Sequence, residues 1–467
     1  MKFDFGLVGL GVMGRNFILN VAENGFSSIG LSSSEEKIKL LKEEGEDFDI
    51  DGTQSDKVFI DSLSTPRKIM LFVPAGNPVD SMIDRFLPLL DHGDIIIDGG
   101  NSHFDDTERR FKYLESKKIN FLGAGVSGGS KGARYGPSIM LGGNKESYLK
   151  IKSIFESVAA KVDNVPCVAY LGESSSGHYV KMIHNGIEYA MMQLISESYD
   201  VLRRGFKKNN DEIQKIFSKW NDGILNSYLI EITKDIFSKK DMETDNYMID
   251  IILDKAKQKG TGKWTSQNAM DLGINVPTID SAVSMRTISS FKDQRIKAEN
   301  MYKTQNNKTS SINITVEDVE KSLIFGFIVC YAQGLSQLRS ASNEKSYNLN
   351  YSEICKIWRG GCIIRAKILQ DCMDAFDLNS ELENLLLDLN IKEIINSSIE
   401  SARKVSIYSI ENEIPLSGLL SSISYFDSFK CGNLPMNLVQ AQRDCFGEHT
   451  FERIDKKVHI ILNGKQF

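Results

Sequence analysis

The stretch FGLVGLGVMGRNFILNVAE, residues 5–23, joins an apolar run, a glycine-rich turn and a segment of helical periodicity without a break. Phe5 to Val8 has the continuous apolar character of a strand buried on both faces, and Arg15 to Glu23 spaces its apolar residues as a helix does. Between them, Gly9, Leu10, Gly11, Val12, Met13 and Gly14 give the G-x-G-x-x-G spacing. Gly9 permits a tight turn, Gly11 lets a pyrophosphate approach the backbone, and Gly14 lets the helix close on the strand with its N-terminus facing the phosphates. A glycine-rich turn that merely packs would carry the same letters. Here a second strand, Ser28 to Leu31, follows at the distance a dinucleotide fold requires.

The end of that second strand selects the nicotinamide cofactor, because an Asp or Glu there accepts the ribose hydroxyls of NAD and repels the extra phosphate of NADP. This chain has Ser32, Ser33 and Ser34, then Lys37. Three hydroxyls and an ammonium suit a phosphate, and no carboxylate stands ready for a bare ribose. NADP is expected and NAD stays open, since Glu35 and Glu36 weaken a phosphate site and three serines also make a plain polar turn.

Further strands are expected at Lys68 to Val73, Ile95 to Asp98, Asn120 to Gly123 and Ile139 to Leu141, alternating with helical segments. Residues 1–174 therefore form an α/β Rossmann-like coenzyme-binding domain. From about Ser176 the period changes to 3.6, as in Asp211 to Phe237 and Val316 to Arg339, so residues 175–433 form a large all-helical domain. The most loop-like part of it is Lys303 to Asn313. Residues 434–467, with a final strand-like VHIIL, form a tail too small for its own core, which must pack on another surface.

Composition narrows the classes. The chain has 467 residues and a formal net charge of -6, which excludes a basic nucleic-acid surface and requires local positive charge if the substrate is an anion. Lys259 and Lys263, Arg286, and Arg443 with His449 can supply it, although each alone reads equally as a solvated surface charge. Cysteines 167, 330, 355, 362, 372, 431 and 445 form no C-x-x-C pair and no zinc spacing, so neither disulfides nor a metal site is expected. The longest apolar run, Leu323 to Ala332, is too short to cross a bilayer, and with no secretory signal at its start the chain is expected in the cytoplasm.

The chemistry is concentrated in VKMIHNGIEY, residues 180–189. Offsets of three and four place Lys181, His184 with Asn185, and Glu188 on one helical stripe. Lys181 and Glu188 are roughly 10 Å apart along the axis, too far to pair but able to bracket a small molecule. An amine and a carboxyl on either side of one substrate is an acid/base arrangement. A solvated helix face with ordinary charges is the other reading of these ten residues.

Seven ordered motifs carry a resemblance over the whole length: GLGVMG (9–14), IIIDGGN (95–101), GVSGGSKGARYGPS (125–138), VKMIHNGIEY (180–189), QKGTGKW (258–264), WRGGCIIR (358–365) and QAQRDCFGEHT (440–450). In these the chain resembles the decarboxylating 6-phosphogluconate dehydrogenases. The resemblance implies oxidation and decarboxylation of 6-phosphogluconate to ribulose 5-phosphate and CO2 with reduction of NADP, without a metal. It implies Lys181 as base and then acid, and Glu188 as the acid that protonates the enediol. Substrate contacts carry over to Asn101, Ser127, Gly128, Gly129, His184, Asn185, Tyr189, Lys259 and Arg286, and cofactor contacts to Asn101, Val73, Pro74 and Ala75 beside the glycine turn and the serines. It further implies a homodimer in which Arg443 and His449 reach the partner's site.

Departures cluster around the cofactor. The family usually carries Asn-Arg-Thr where this chain has Ser32-Ser33-Ser34, so an arginine pairing with the 2′-phosphate is missing. Pro74 replaces a lysine, Ser130 an acidic residue and Leu141 a proline. A related 3-hydroxyacid dehydrogenase using NAD or another sugar acid would be expected to lose the phosphate-binding cations, and a non-catalytic regulatory paralogue to lose Lys181 or Glu188. All are retained.

Overall fold

The structure, a computed structural model, describes residues 2–302 and 310–456 together with the backbone of 459–460. The chain divides into two compact units, residues 1–422 and 423–467. The first opens on an eight-stranded sheet built from β1 (Phe5–Val8), β2 (Ser28–Leu31), β3 (Ile50–Thr53), β4 (Lys68–Leu71), β5 (Ile95–Asp98), β6 (Asn120–Ser127), β7 (Ser138–Gly143) and, after the short hairpin β8 (Lys161–Val162) and β9 (Val165–Pro166), β10 (Val168–Tyr170). Its order is β10-β7-β6-β5-β4-β1-β2-β3. All pairings are parallel except β6 with β7.

Alternation along each strand feeds two separate cores. Phe5, Leu7, Met70, Ile95 and Ile97 point to the face covered by α1 (Val12–Glu23), α6 (Gly129–Tyr135) and α7 (Lys145–Val158). Val8, Ile69, Leu71 and Ile96 point to the face covered by α3 (Asp56–Asp61), α4 (Asn77–Phe86) and α5 (Phe104–Ser116). The edge helix α2 (Glu35–Glu44) starts from a Ser34 cap.

The rest of the first unit is helical: α8 (Ser176–Asp200), running into a π turn at Val201–Gly205, then α9 (Asn210–Asn221), α10 (Tyr228–Ser238), α11 (Met248–Ile251), α12 (Thr261–Asp271), α13 (Pro277–Ser289), α14 (Lys292–Met301), α15 (Val316–Lys345), α16 (Tyr351–Trp358), α17 (Leu369–Leu378) and α18 (Leu389–Glu411). Helix α19 (Ser417–Phe429) begins in the first unit and ends in the second. The second unit holds α20 (Met436–Gly447) and a two-stranded pairing of β11 (Phe451–Glu452) with β12 (His459–Ile460).

Several expectations are corrected. The helical stretch from Asp211 to Phe237 breaks into α9 and α10, because Ser227 caps a new helix by accepting the Ile230 N–H. Such a cap satisfies a donor that a continuous helix would bond internally. The strand expected to reach Val73 ends at Leu71, and the one expected to end at Gly123 runs on to Ser127. Strands β3 and β10 were not anticipated. Of the final VHIIL run only residues 459–460 are described, and of the expected 303–313 loop residues 303–309 lie outside the described residues. All seven cysteines are free. Among the described residues no helix is long and apolar enough to cross a membrane, and no group of three or more His, Cys, Asp or Glu side chains is placed to hold a metal.

Candidate active site

Helix α8 runs along β6, from Gly123 beside its first turn to Ser127 beside His184. A Cβ at Gly177 would strike the carbonyls of Gly123 and Met140, so the first turn rests directly on β6 and β7. One turn on, a Cβ at Gly125 would collide with the Lys181 side chain. These two glycines press the stripe into the interior: Lys181 is 6 % exposed, His184 0 % and Asn185 8 %. The reading of VKMIHNGIEY as a solvated face is thereby excluded.

Within the stripe, Lys181 Nζ donates to Asn185 Oδ1 at 2.8 Å and lies 3.3 Å from His184 Nδ1. His184 Nδ1 is 3.9 Å from Glu188 Oε2, and its Nε2 is 3.1 Å from Ser127 Oγ. Burial dominates the electrostatics. It lowers the pKa of Lys181 against the opposing pull of Glu188, and raises that of Glu188 against the opposing pulls of Lys181 and Arg286. Burial and the neighbouring Lys181 hold His184 well below the usual imidazole range, so the ring is neutral near pH 7. An amine moved toward its free-base form and a carboxyl moved toward its acid form can exchange protons with a substrate near neutrality.

Around the stripe stand the other motifs. Gly128 takes a positive φ of 113° at the turn after β6, and the WRGGCIIR run closes over that turn: the Ile363 N–H reaches Ser127 Oγ at 3.4 Å, and the Ser138 N–H donates to Gly361 O at 2.9 Å. Trp358 is fully buried edge-on against His184 at 5.8 Å between ring centroids. Arg286 lies over the Tyr189 ring with Cζ 3.3 Å from its centroid. That is a cation–π contact which holds the guanidinium beside the stripe. The QKGTGKW run leads into α12, where Thr265 Oγ1 donates to Met182 O at 3.0 Å and Trp264 meets His103 edge-on.

Not every expected residue joins this cluster. Asn101 is exposed after β5, and Lys259 is exposed before α12 with no ion pair among the described residues. Arg443 and His449 belong to the second unit, where both are exposed. Arg443 Nη1 donates to Gln440 Oε1 at 3.1 Å, and Asp444 accepts the Thr450 N–H at 2.9 Å.

The family described as "6-phosphogluconate dehydrogenase, C-terminal domain" matches residues 177–463, and the "NAD binding domain of 6-phosphogluconate dehydrogenase" matches residues 4–172. The chain belongs to the 6-phosphogluconate dehydrogenase family. A decarboxylating 6-phosphogluconate dehydrogenase of Lactococcus lactis is 50% identical over 456 residues, covering 97% of each chain. The NADP(+)-dependent decarboxylating enzyme of Bacillus subtilis is 48% identical over 458 residues, covering 98% of each. The solved 6-phosphogluconate dehydrogenase of Plasmodium falciparum, described in apo form and in complex with its cofactor NADP+ and its substrate 6-phosphogluconate, superposes with a TM-score of 0.96. It is 43% identical, over 98% of this chain and 99% of its own.

The dinucleotide expected of this family fits the turn after β1. A Cβ at Gly14 would collide with the Gly9 carbonyl, and one at Gly9 (φ 99°) with the Phe72 carbonyl, whereas nothing stands within 4 Å of one at Gly11. The turn is close-packed behind and open in front, as a pyrophosphate cradle must be. At the end of β2 the three serines differ from one another. Ser34 Oγ accepts the Lys37 N–H at 3.4 Å as cap of α2, and Ser32 Oγ accepts the Ser34 N–H at 3.2 Å. Ser33 and Lys37 are exposed, and Gln54 holds the Ser33 carbonyl at 3.0 Å. The serine run is therefore a structural turn as well as a donor-rich surface.

Sequence reading missed Trp358, Thr265 and His178, all buried against α8 or within it. The only signal for the first was its place in WRGGCIIR; the others carry no local one.

Proposed function

We propose that this chain oxidises and decarboxylates 6-phosphogluconate to ribulose 5-phosphate and CO2, with NADP as electron acceptor. The observation that carries the reading is the buried stripe in which burial moves Lys181 and Glu188 in opposite directions, beside the neutral His184 and the Ser127 turn.

The residues suited to hold the cofactor are Gly9 to Gly14 for the pyrophosphate, Ser32, Ser33, Ser34 and Lys37 for the adenosine end, and Val73, Pro74, Ala75 and Asn101 toward the nicotinamide. When bound, NADP supplies the ring that accepts a hydride from C3 of the substrate. Lys181, neutral, takes the C3 hydroxyl proton as that carbon is oxidised. The ammonium so formed donates to the new ketone oxygen while C1 leaves as CO2, which leaves an enediol. Glu188 then protonates the carbon that becomes C1 of the product, while Lys181 takes the remaining enediol proton. Transfer of that proton from Lys181 to Glu188 restores both groups.

His184, Asn185 and Ser127 with Gly128 and Gly129 bind the carboxylate and hydroxyls in this reading. Tyr189, Lys259 and Arg286 extend toward the phosphate, for which Arg's forked donors are suited. Arg443 and His449 complete that phosphate site from a partner subunit in a homodimer. Exposed apolar residues support such an assembly: Ile288, Phe291 and Met301 in the first unit, and Met436, Leu438 and Phe446 in the second. The domain division is 1–174, 175–433 and 434–467, and the enzyme works in the cytoplasm.

Initial rates with 6-phosphogluconate and each of NADP and NAD, with CO2 release measured in parallel, test the proposal. Reduction of NADP matched one for one by CO2 is expected. No turnover of 6-phosphogluconate with either cofactor would overturn it.

A further inference from the structure

Arg109 and Arg110 are consecutive on α5 and point to different sides of the helix, with side chains 55% and 1% exposed. Arg110 uses all five of its N–H donors. Nε and Nη2 grip Asp80 of α4 at 2.8 and 3.1 Å, Nη2 also donates to the Gly76 carbonyl at 3.0 Å, and Nη1 reaches Asp98 Oδ2 at 3.4 Å and Ser102 Oγ at 3.3 Å.

These partners lie on or directly beside two loops. Gly76 ends the loop after β4, with Val73, Pro74 and Ala75. Asp98 closes β5, and its carboxylate accepts the Gly100 N–H at 3.0 Å and the Ser102 hydroxyl at 2.6 Å, so Asn101 is suspended between two residues bound to Asp98. From the same α5, Thr107 Oγ1 lies 2.7 Å from Nδ1 of His178, which sits one turn before Lys181 on α8. His178 is 1 % exposed and faces Asp98 and Gly100.

A buried ion pair of this kind is a weak source of stability, because desolvation offsets the attraction. Its distinctive effect is geometric. Only a planar fork with five donors can bind a carbonyl, a hydroxyl and two carboxylates on three elements at once; an ammonium has three donors on a flexible stem.

We propose that Arg110 is a positioning residue for the reaction. It locks the loop after β4 to the loop after β5, and so fixes Asn101 and the cofactor's nicotinamide end against the Lys181 helix. The proposal rests on the function argued above.

Two variants of the full chain test it, Arg110→Lys and Ser102→Ala. NADPH binding is read by fluorescence titration, without turnover. kcat, KM and the primary deuterium isotope effect are read with 6-phosphogluconate deuterated at C3. Arg110→Lys should weaken NADPH binding about tenfold, the worth of one charge-assisted hydrogen bond. It should lower kcat by about 100-fold, as a reacting pair displaced by about 1 Å does. The isotope effect should rise, because hydride transfer becomes more nearly rate-limiting. Ser102→Ala removes only the link to the Asn101 loop and should leave NADPH affinity within about twofold while lowering kcat and raising the isotope effect.

If Arg110→Lys lowers the melting temperature but folded protein keeps wild-type NADPH affinity and isotope effect, Arg110 is structural only and the proposal fails. Should Arg110→Lys not fold, Ser102→Ala decides alone: a wild-type kcat and isotope effect would overturn the clamp on Asn101. A wild-type enzyme inert toward 6-phosphogluconate would sink the functional reading instead, and the NADPH titration of Arg110→Lys, with Ser102→Ala as its unchanged control, would still judge the clamp.

Discussion

The Oδ1 atom of Asn185 accepts from the amine of Lys181 at 2.8 Å, a bond that fixes a buried amine without giving it a counter-charge. A neutral acceptor adds no charge to offset the desolvation of the ammonium, which outweighs the opposing pull of Glu188, so an amide at position 185 lets the pKa of Lys181 stay lowered. Asn185→Asp should therefore favour the ammonium and move the acid limb of kcat/KM to higher pH by about one unit or more, the effect of an opposite charge within ~4 Å. An unmoved acid limb would show that another group controls it.

Lys181 and Glu188 should govern opposite limbs of the pH profile. The neutral amine is required, so activity falls as pH drops through the lowered Lys181 pKa. The protonated carboxyl is required, so it falls as pH rises through the raised Glu188 pKa. Lys181→Met should cut turnover by about 1000-fold or more, with substrate affinity within about tenfold, because the amine acts on the transition state. Glu188→Gln should depress ribulose 5-phosphate formation and flatten the alkaline limb. Wild-type-like turnover in either variant would remove that residue from the mechanism.

Subunit mixing tests the origin of Arg443 and His449. Lys181→Met and Arg443→Ala proteins, each inactive, should regain activity on subunit exchange if the tail serves its partner, since a heterodimer then has one site with both lesions and one with neither. No recovery after demonstrated exchange would place the tail in its own subunit's site.

At the cofactor, Ser33 is the exposed member of the serine run. Ser33→Arg should raise the NADP over NAD ratio of kcat/KM by about tenfold, the gain of a charge-assisted contact with the 2′-phosphate. Ser32→Asp should shift preference toward NAD. An unchanged ratio in Ser33→Arg would show that cofactor choice is made elsewhere.

Glu197 provides a stability test away from the site. It is 4 % exposed and accepts the N–H groups of Gly418 and Leu419 at 2.6 and 2.9 Å where α19 begins, and burial pushes its carboxyl up to about 7. Below pH 4.5 the folded and unfolded chains both hold this proton. Between 4.5 and 7 only the unfolded chain releases it, so stability falls as pH rises, by about 3 kcal/mol in all, and the loss is complete above 7. In Glu197→Gln this part of the slope should vanish. Denaturant titrations at pH 5 and 8 that give the same slope for both proteins would refute the assignment.

What could be read from the letters alone was what repeats along the chain. The glycine spacing after β1 and the three-and-four offsets of α8 are local patterns with one geometric meaning each. Which way the α8 stripe faced was not local, because it depends on Gly177 and Gly125 letting the helix settle on β6 and β7. Strand β3 escaped notice because IDGT, polar and glycine-containing at the sheet edge, carries no strand signature. Arg109 and Arg110 are the same residue type one position apart, and the three-and-four spacing of Phe104, Thr107 and Leu114 puts position 110 on the buried side. What Arg110 binds there, Asp80, Asp98 and Ser102, lies on other elements and is not local.

The seat of Gly177 on the carbonyls of Gly123 and Met140 also bears on modularity. The helix carrying the acid/base stripe packs on the coenzyme-binding sheet itself, starting a short connection after β10 ends at Tyr170. Grafting this nucleotide half onto a foreign helical half would require matching glycines at 123, 125 and 177, or the graft would be wedged apart at the seam. The sheet from β6 onward and the helical half have to be inherited together, and recombination that swaps cofactor preference between relatives would have to cut after the β2 turn and before Gly123.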